Sequence, residues 1–205
     1  MYLNILTEEQ KQLLPLISQF KREYYLVGGT AIALQIGHRK SIDFDLFKIG
    51  NIKRTQIKKK IIEANFKIEK VLFEDNEQLH LIVNGIKLTF FQYPYDIPHK
   101  VTLEKIITMP TLLDLAAMKA YALGKRAKWK DYVDLYFLLK ECHSYQEIAQ
   151  RTQEIFTESF NDKLFREQLS YFEDINYTEE VEYCRDETSE DTIKKYLQNI
   201  AISIF

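Results

Sequence analysis

Residues 24–47, YYLVGGTAIALQIGHRKSIDFDLF, decide how this chain is read. Tyr24 to Val27 is apolar and aromatic, as a short buried strand requires. Gly28 and Gly29 interrupt it, and Thr30 to Ile36 predicts a short helix. Gly37 to Ser41 is a polar, basic loop. Ile42 to Phe47 predicts a second strand, with Ile42, Phe44 and Leu46 on one face and Asp43, Asp45 and Phe47 on the other. Two carboxylates side by side on one strand face repel each other, and a strand gains nothing from that. A divalent cation between them removes the cost, and carboxylate oxygens suit Mg2+, with Mn2+ as the alternative. The Gly-Gly turn adds a second half to the pattern. It lets a backbone approach a ligand closely and opens onto a helix N-terminus, where phosphate is favoured. An anion cradle and an Asp-x-Asp pair within one short stretch suit a nucleoside triphosphate bound with its metal.

The whole chain, 205 residues long, suits one domain or a domain with a helical extension. Its 46% hydrophobic and 13% aromatic content predicts a folded protein, and six glycines and four prolines leave little room for long linkers. A net charge of −2 gives no global signal for nucleic acid. Basic residues nevertheless cluster at Lys48, Lys53, Arg54 and Lys58 to Lys60, and again at Lys119, Lys125, Arg126, Lys128 and Lys130. Solvated faces and phosphate-facing patches account for such runs equally well. Cys142 and Cys184 have neither zinc-site nor disulfide-framework spacing. The amino terminus lacks a signal-peptide pattern, and no apolar run approaches membrane-spanning length, so a cytoplasmic protein without a membrane partner is expected.

Outside the central stretch, Thr7 and Gln10 form a capping-box pattern for a helix from Glu8 to about Lys21, with Pro15 inside it. Thr55 to Ala64 predicts a basic amphipathic helix. Phe66 to Phe73, Gln78 to Val83 and Ile86 to Tyr93 predict strands, the last two joined at Asn84-Gly85, a type I′ hairpin signal. Tyr93 to Pro110 reads as an irregular connection. Helices follow at Asp114 to Lys125, from Lys130, and at Tyr145 to Glu158, Asp162 to Phe172 and Asp191 to Ile202. The expected organisation is an α/β core over residues 1–108 and a helical lobe over 109–205 that faces the sheet and completes the site.

Gly28-Gly29, the gap of thirteen residues and Asp43-Phe44-Asp45 resemble the signature of the DNA polymerase β-like nucleotidyltransferase superfamily. The longer string of Gly28 to Ala31, Gly37-His38-Arg39, Ser41, Asp43 and Asp45 to Phe47 resembles the AbiEii/AbiGii toxin family more specifically. MKAYALGKRAKWKDYVDLYFLL, residues 118–139, is similar to that family too, with Lys119, Arg126, Lys130, Asp131 and Asp134 in the matching places. The resemblance covers nearly the whole chain, and its specificity lies in residues 27–47 and 115–139.

The resemblance implies a polymerase β-like mixed or antiparallel sheet with flanking helices, and transfer of a nucleoside monophosphate from a nucleoside triphosphate to an acceptor. It further implies RNA, with a tRNA 3′ end foremost, or a protein hydroxyl as acceptor, and a cognate antitoxin as partner. Asp43 and Asp45 would hold the metal. Gly28, Gly29 and Thr30 would cradle phosphate, with Arg39, Ser41 and Arg126 beside it, and Lys119 would bind the triphosphate. Asp131 would complete the catalytic set, as proton acceptor, metal ligand or partner of Lys119. Without the resemblance, Lys119 and Asp131 read first as an interhelical ion pair, and Asp134 as a partner of Arg126 or Lys130. Relatives in the superfamily place a third carboxylate on a strand where this chain has Thr89. That substitution motivates a rival reading, an inactive nucleotide-binding or partner-binding protein on the same fold. A hydrolase or sugar-nucleotide enzyme built on Asp-x-Asp is a third.

Overall fold

The computed structural model describes residues 1–185 and 187–203. The chain divides into two compact units, Met1–Thr111 and Leu112–Phe205. The division expected after residue 108 would have cut a strand, because Ile107–Met109 pairs with Val101–Leu103. That small hairpin lies in the segment that the sequence suggested was irregular.

The first unit is built on a five-stranded sheet. Its strands are β1 (Tyr25–Val27), β2 (Phe44–Lys48), β3 (Ile68–Glu74), β4 (Gln78–Val83) and β5 (Ile86–Gln92), and β6 (Val101–Leu103) and β7 (Ile107–Met109) form the separate hairpin. The order across the sheet is β1-β2-β5-β4-β3. β2 and β5 run parallel and every other neighbour is antiparallel, so the sheet is mixed. The β4–β5 hairpin turns at Asn84 and Gly85, both at positive φ, as the Asn-Gly signal requires.

The register separates two faces. Leu26, Leu46, Phe90 and Leu79 form one cross-strand row, and Phe44, Leu88 and Leu81 the next; all are buried. Phe20 and Tyr24 pack edge-on against Phe90, at 4.8 Å and 5.4 Å between ring centroids. The opposite face carries Asp45, Thr89 and His80 in one row and Phe47, Phe91 and Gln78 in the next.

Three helices belong to this unit: α1 (Glu8–Ser18), α2 (Gly28–Ile36) and α3 (Arg54–Glu63). The Thr7–Gln10 capping box forms, and Pro15 is accommodated inside α1. Gln10 is fully buried and donates to the Ser41 carbonyl at 2.9 Å, which ties α1 to the loop before β2. That loop corrects one expectation. β2 begins at Phe44, so Asp43 precedes the strand and Ile42 is exposed instead of joining Phe44 and Leu46 in the core.

The second unit is helical: α4 (Leu112–Leu123), α5 (Trp129–Glu141), α6 (Tyr145–Phe156), α7 (Asp162–Ser170) and α8 (Glu190–Ile202). Helix α5 is buried along nearly its whole length, from Trp129 to Leu139. Tyr121 of α4 stacks on Phe156 of α6, and Tyr136 of α5 meets Tyr196 of α8 edge-on. Among the described residues no helix is long and apolar enough to cross a membrane.

Phe90 sits at the centre of the first unit's core, so Phe90→Ala is expected to destabilise the protein by about 3–5 kcal/mol. Urea unfolding followed by tryptophan-independent far-UV circular dichroism measures this.

Candidate active site

Close approach governs the turn between β1 and α2. Gly28 has φ +73°, and a Cβ on it would lie 2.3 Å from Asp45 Oδ2. A Cβ on Gly29 would lie 2.5 Å from Arg39 Nη2 and 3.0 Å from Ser41 Oγ. The two glycines are therefore needed for different reasons. Gly28 supplies a left-handed backbone and admits the Asp45 carboxylate, while Gly29 admits Arg39 and Ser41. The Asp45 carboxylate comes to rest beside the N-terminus of α2, where negative charge is favoured.

Thr30, 1% exposed, laces this turn to the loop ahead of β2. Its Oγ1 lies 3.0 Å from Ser41 Oγ and donates to the main-chain carbonyl of Asp43. Arg39, 2% exposed, donates from Nη1 to the Lys40 carbonyl at 2.8 Å. Thr30 and Arg39 are thus packed beneath the turn, where they set the positions of Gly29, Ser41 and Asp43. The sequence had suggested that both reach phosphate directly. Ser41 is only half-buried at the same place.

Asp43 and Asp45 are both partly exposed. Lys87 Nζ on β5 stands 3.9 Å from Asp43 Oδ2. The register puts Thr89 directly across the parallel strand pair from Asp45. Thr89 Oγ1 is buried without a hydrogen-bond partner. Directly across from Thr89 on β4 stands His80, which the sequence reading missed. Burial and the Lys87 ammonium lower the His80 imidazole below its ordinary value, outweighing Asp45 and Asp75. The sequence signal for it was the Asn84-Gly85 hairpin, whose two-residue turn pairs Val83 with Ile86 and so sets His80 opposite Thr89.

Two half-exposed carboxylates beside an unpartnered buried hydroxyl fit a hard divalent cation that takes its remaining ligands from water or phosphate. Among the described residues no group of three or more histidine, cysteine, aspartate or glutamate side chains is gathered around one point.

In the second unit Lys119, Asp131 and Asp134 form a buried network. Lys119 Nζ donates to Asp131 Oδ1 and stands 2.8 Å from Asp134 Oδ2. Arg126 Nε donates to Asp131 Oδ2 at 3.0 Å. Arg126 reaches it from beyond α4, which ends at Leu123, so it does not share a helical face with Lys119 as its spacing had suggested. Asp134 pairs with Lys119, and Lys130 stands 3.5 Å from Glu179. Burial alone would raise the Asp131 carboxyl, but the charges of Lys119 and Arg126 outweigh it and hold the group below the usual carboxylate range.

Four lysines of the first basic cluster pair with three neighbouring carboxylates. Lys58 bonds Glu74 at 2.6 Å, Lys48 bonds Glu23 at 3.2 Å, and Lys60 and Lys59 stand within 3.6 Å of Glu23 and Glu63.

Comparison with known proteins now decides the family. The family model for the nucleotidyl transferase AbiEii toxin of type IV toxin–antitoxin systems matches residues 15–200. The chain belongs to this family of nucleotidyltransferase toxins. An uncharacterized protein of Aquifex aeolicus is 30% identical over 212 residues, covering 95% of this chain and 98% of the relative. Among solved structures, the fold is similar to MenT4, a nucleotidyltransferase toxin from Mycobacterium tuberculosis, with a TM-score of 0.63 and 15% identity over 94% of this chain and 80% of that one. JHP933 from Helicobacter pylori aligns with a TM-score of 0.58 and 18% identity over 96% and 91% of the two chains. At such identities these structures establish a shared nucleotidyltransferase fold.

The buried network sets a stability prediction for the AbiEii-family lobe. Lys119→Met leaves Asp131 and Asp134 buried without their shared lysine and is expected to cost about 3–5 kcal/mol at pH 7. Because Asp131 has a lowered pKa when folded, its stabilising contribution is complete above the ordinary value of 3.8 and is lost as pH falls through the lowered one. Denaturant unfolding between pH 7 and pH 3 should therefore show the gap between wild type and Lys119→Met closing at the acid end.

Proposed function

We propose that this AbiEii-family protein transfers a nucleoside monophosphate from a nucleoside triphosphate, with Mg2+ or Mn2+, to a hydroxyl of an acceptor. The observation that supports this best is the Asp45 carboxylate held against the Gly28 backbone beside the N-terminus of α2, with Asp43 in the loop just before β2. In the reaction, the acceptor oxygen bonds to the α-phosphorus and the bond to the β-phosphate breaks. Pyrophosphate leaves, and the hydroxyl proton passes to solvent.

Asp43 and Asp45 would hold the cation, which when bound neutralises phosphate charge and orients the α-phosphate. The Gly28-Gly29 backbone and the half-buried Ser41 would face the phosphates, and buried Thr30 and Arg39 would keep that turn in shape. Lys119 would take the triphosphate, with Arg126 beside it. Asp131, held below the usual carboxylate range, is a weak base and would serve to position Lys119 and Arg126. RNA, with a tRNA 3′ end foremost, or a protein hydroxyl is the proposed acceptor. Membership in a toxin–antitoxin family implies a cognate antitoxin. The setting we propose is cytoplasmic.

A second reading has its own observation. Thr89 faces Asp45 across the strand pair at the place the family resemblance assigns to a third carboxylate, and Lys119 is already engaged by two carboxylates. These favour a protein that binds nucleotide or a partner without turnover.

One assay separates the two. Purified protein is incubated with metal, total RNA and each α-labelled nucleoside triphosphate in turn. Label is expected in RNA or in protein with wild type, and to fall at least about a hundredfold in Asp43→Asn/Asp45→Asn. Metal-dependent nucleotide binding with no label in either fraction would overturn the transferase reading in favour of the binding protein.

A further inference from the structure

The sheet face that carries Asp45 holds one nitrogen ligand that the transferase reading leaves unused. Asp45, Thr89 and His80 lie in a single cross-strand row, on β2, β5 and β4. Residues paired in register project from the same face, so the three side chains are neighbours. At ordinary strand spacing, Asp45 and His80 stand about 10 Å apart between Cα atoms, with only the small threonine between them.

Three further facts turn this row toward a metal. Thr89 is 7% exposed, and its hydroxyl lacks a hydrogen-bond partner, which is costly for a buried polar group that no ligand ever satisfies. His80 Nε2 is 3.0 Å from Gln78 Oε1, an acceptor, so that nitrogen carries the proton. Nδ1 is then the lone-pair nitrogen, and no group of the described residues hydrogen-bonds to it. Fixing one ring nitrogen by a donated hydrogen bond while the other stays free is how proteins orient metal-ligating imidazoles. The Phe73 ring, edge-on to His80 at 5.8 Å between centroids, further limits how that imidazole turns.

We propose that His80, with Asp45 and the Thr89 hydroxyl, forms a second divalent-cation position on this sheet, one that takes Mn2+ in preference to Mg2+. It rests on the reading of Asp43 and Asp45 as a cation site. The imidazole stands in for the carboxylate that Thr89 replaces, from the next strand over. Exchanging an oxygen ligand for a nitrogen ligand shifts preference away from Mg2+, which binds oxygen almost exclusively, and toward Mn2+ and the later transition metals.

Mn2+ alone, added to the full chain and followed by electron spin resonance, tests this without any turnover. Pulsed measurements of bound Mn2+ are expected to show modulation from one imidazole 14N in wild type, in His99→Gln and in His143→Gln, and to lose it in His80→Gln. The Mn2+ dissociation constant should rise about tenfold or more in His80→Gln while Mg2+ binding changes little. Should that variant not fold by circular dichroism, His80→Asn carries the same comparison. Mn2+ bound in an Asp45-dependent way without the nitrogen signal, or with a signal that survives His80→Gln, overturns the inference and leaves the Asp43/Asp45 site standing. Wild type that binds no Mn2+ overturns both.

Discussion

Contact between the Gly28 backbone and the Asp45 carboxylate fixes the geometry of the first unit's functional face. A side chain at Gly28 would have to occupy the space of Asp45 Oδ2, and the backbone there is already left-handed. Strand β1, helix α2 and strand β2 therefore cannot shift independently. The strands are paired at Val27 and Asp45, immediately before the turn. Thr30 closes the other side of the arrangement through Ser41 and the Asp43 carbonyl, and Gln10 adds a bond from α1. Four elements thus converge on two carboxylates that remain partly open to water. Repulsion between two carboxylates held this way would cost stability, and a cation bound between them would recover it.

In the second unit the same economy of charge is arranged differently. Lys119 lies between two carboxylates, and Arg126 adds a second positive charge to Asp131. The Lys119 side chain is 8% exposed and that of Arg126 is 54% exposed. A buried pair of this kind contributes little net stability, but breaking it is expensive because a carboxylate is left unpaired. The network therefore fixes where the lysine stands more than it strengthens the fold. An ion pair and a positioned cationic group are then compatible readings of the same residues, since a phosphate that displaces one carboxylate meets a lysine already oriented.

The chemistry-bearing parts of this chain were legible because they are local. The Gly-Gly turn, the Asp-x-Asp pair, the Thr7–Gln10 capping box and the Asn84-Gly85 hairpin each declare themselves within a few residues. What escaped depends on the long-range register. The strands β6 and β7 have three residues each, too few to show a period. The parallel pairing of β2 with β5 brings together residues more than forty positions apart, and only that pairing carries His80, through Thr89, to the face of Asp45. The burial of Arg39 was equally hidden, since an arginine in a polar loop reads as exposed until Gly29 is seen to need its guanidinium beneath it. Arg126 was misplaced because α4 ends at Leu123, between it and Lys119.

Thr89 beside Asp45 also bears on how charge is balanced on the sheet. Asp45 faces a neutral hydroxyl across the strand pair, and Asp43 has a lysine 3.9 Å away, so the face carries little net negative charge before any ligand arrives. Two acidic groups partly offset by Lys87 attract a bare cation weakly. A triphosphate brings the missing negative charge with it. On the transferase reading, cation and nucleotide then strengthen each other's binding, each supplying charge that the other lacks. A nitrogen ligand from His80 fits this balance better than a third carboxylate would, because it adds a donor without adding charge.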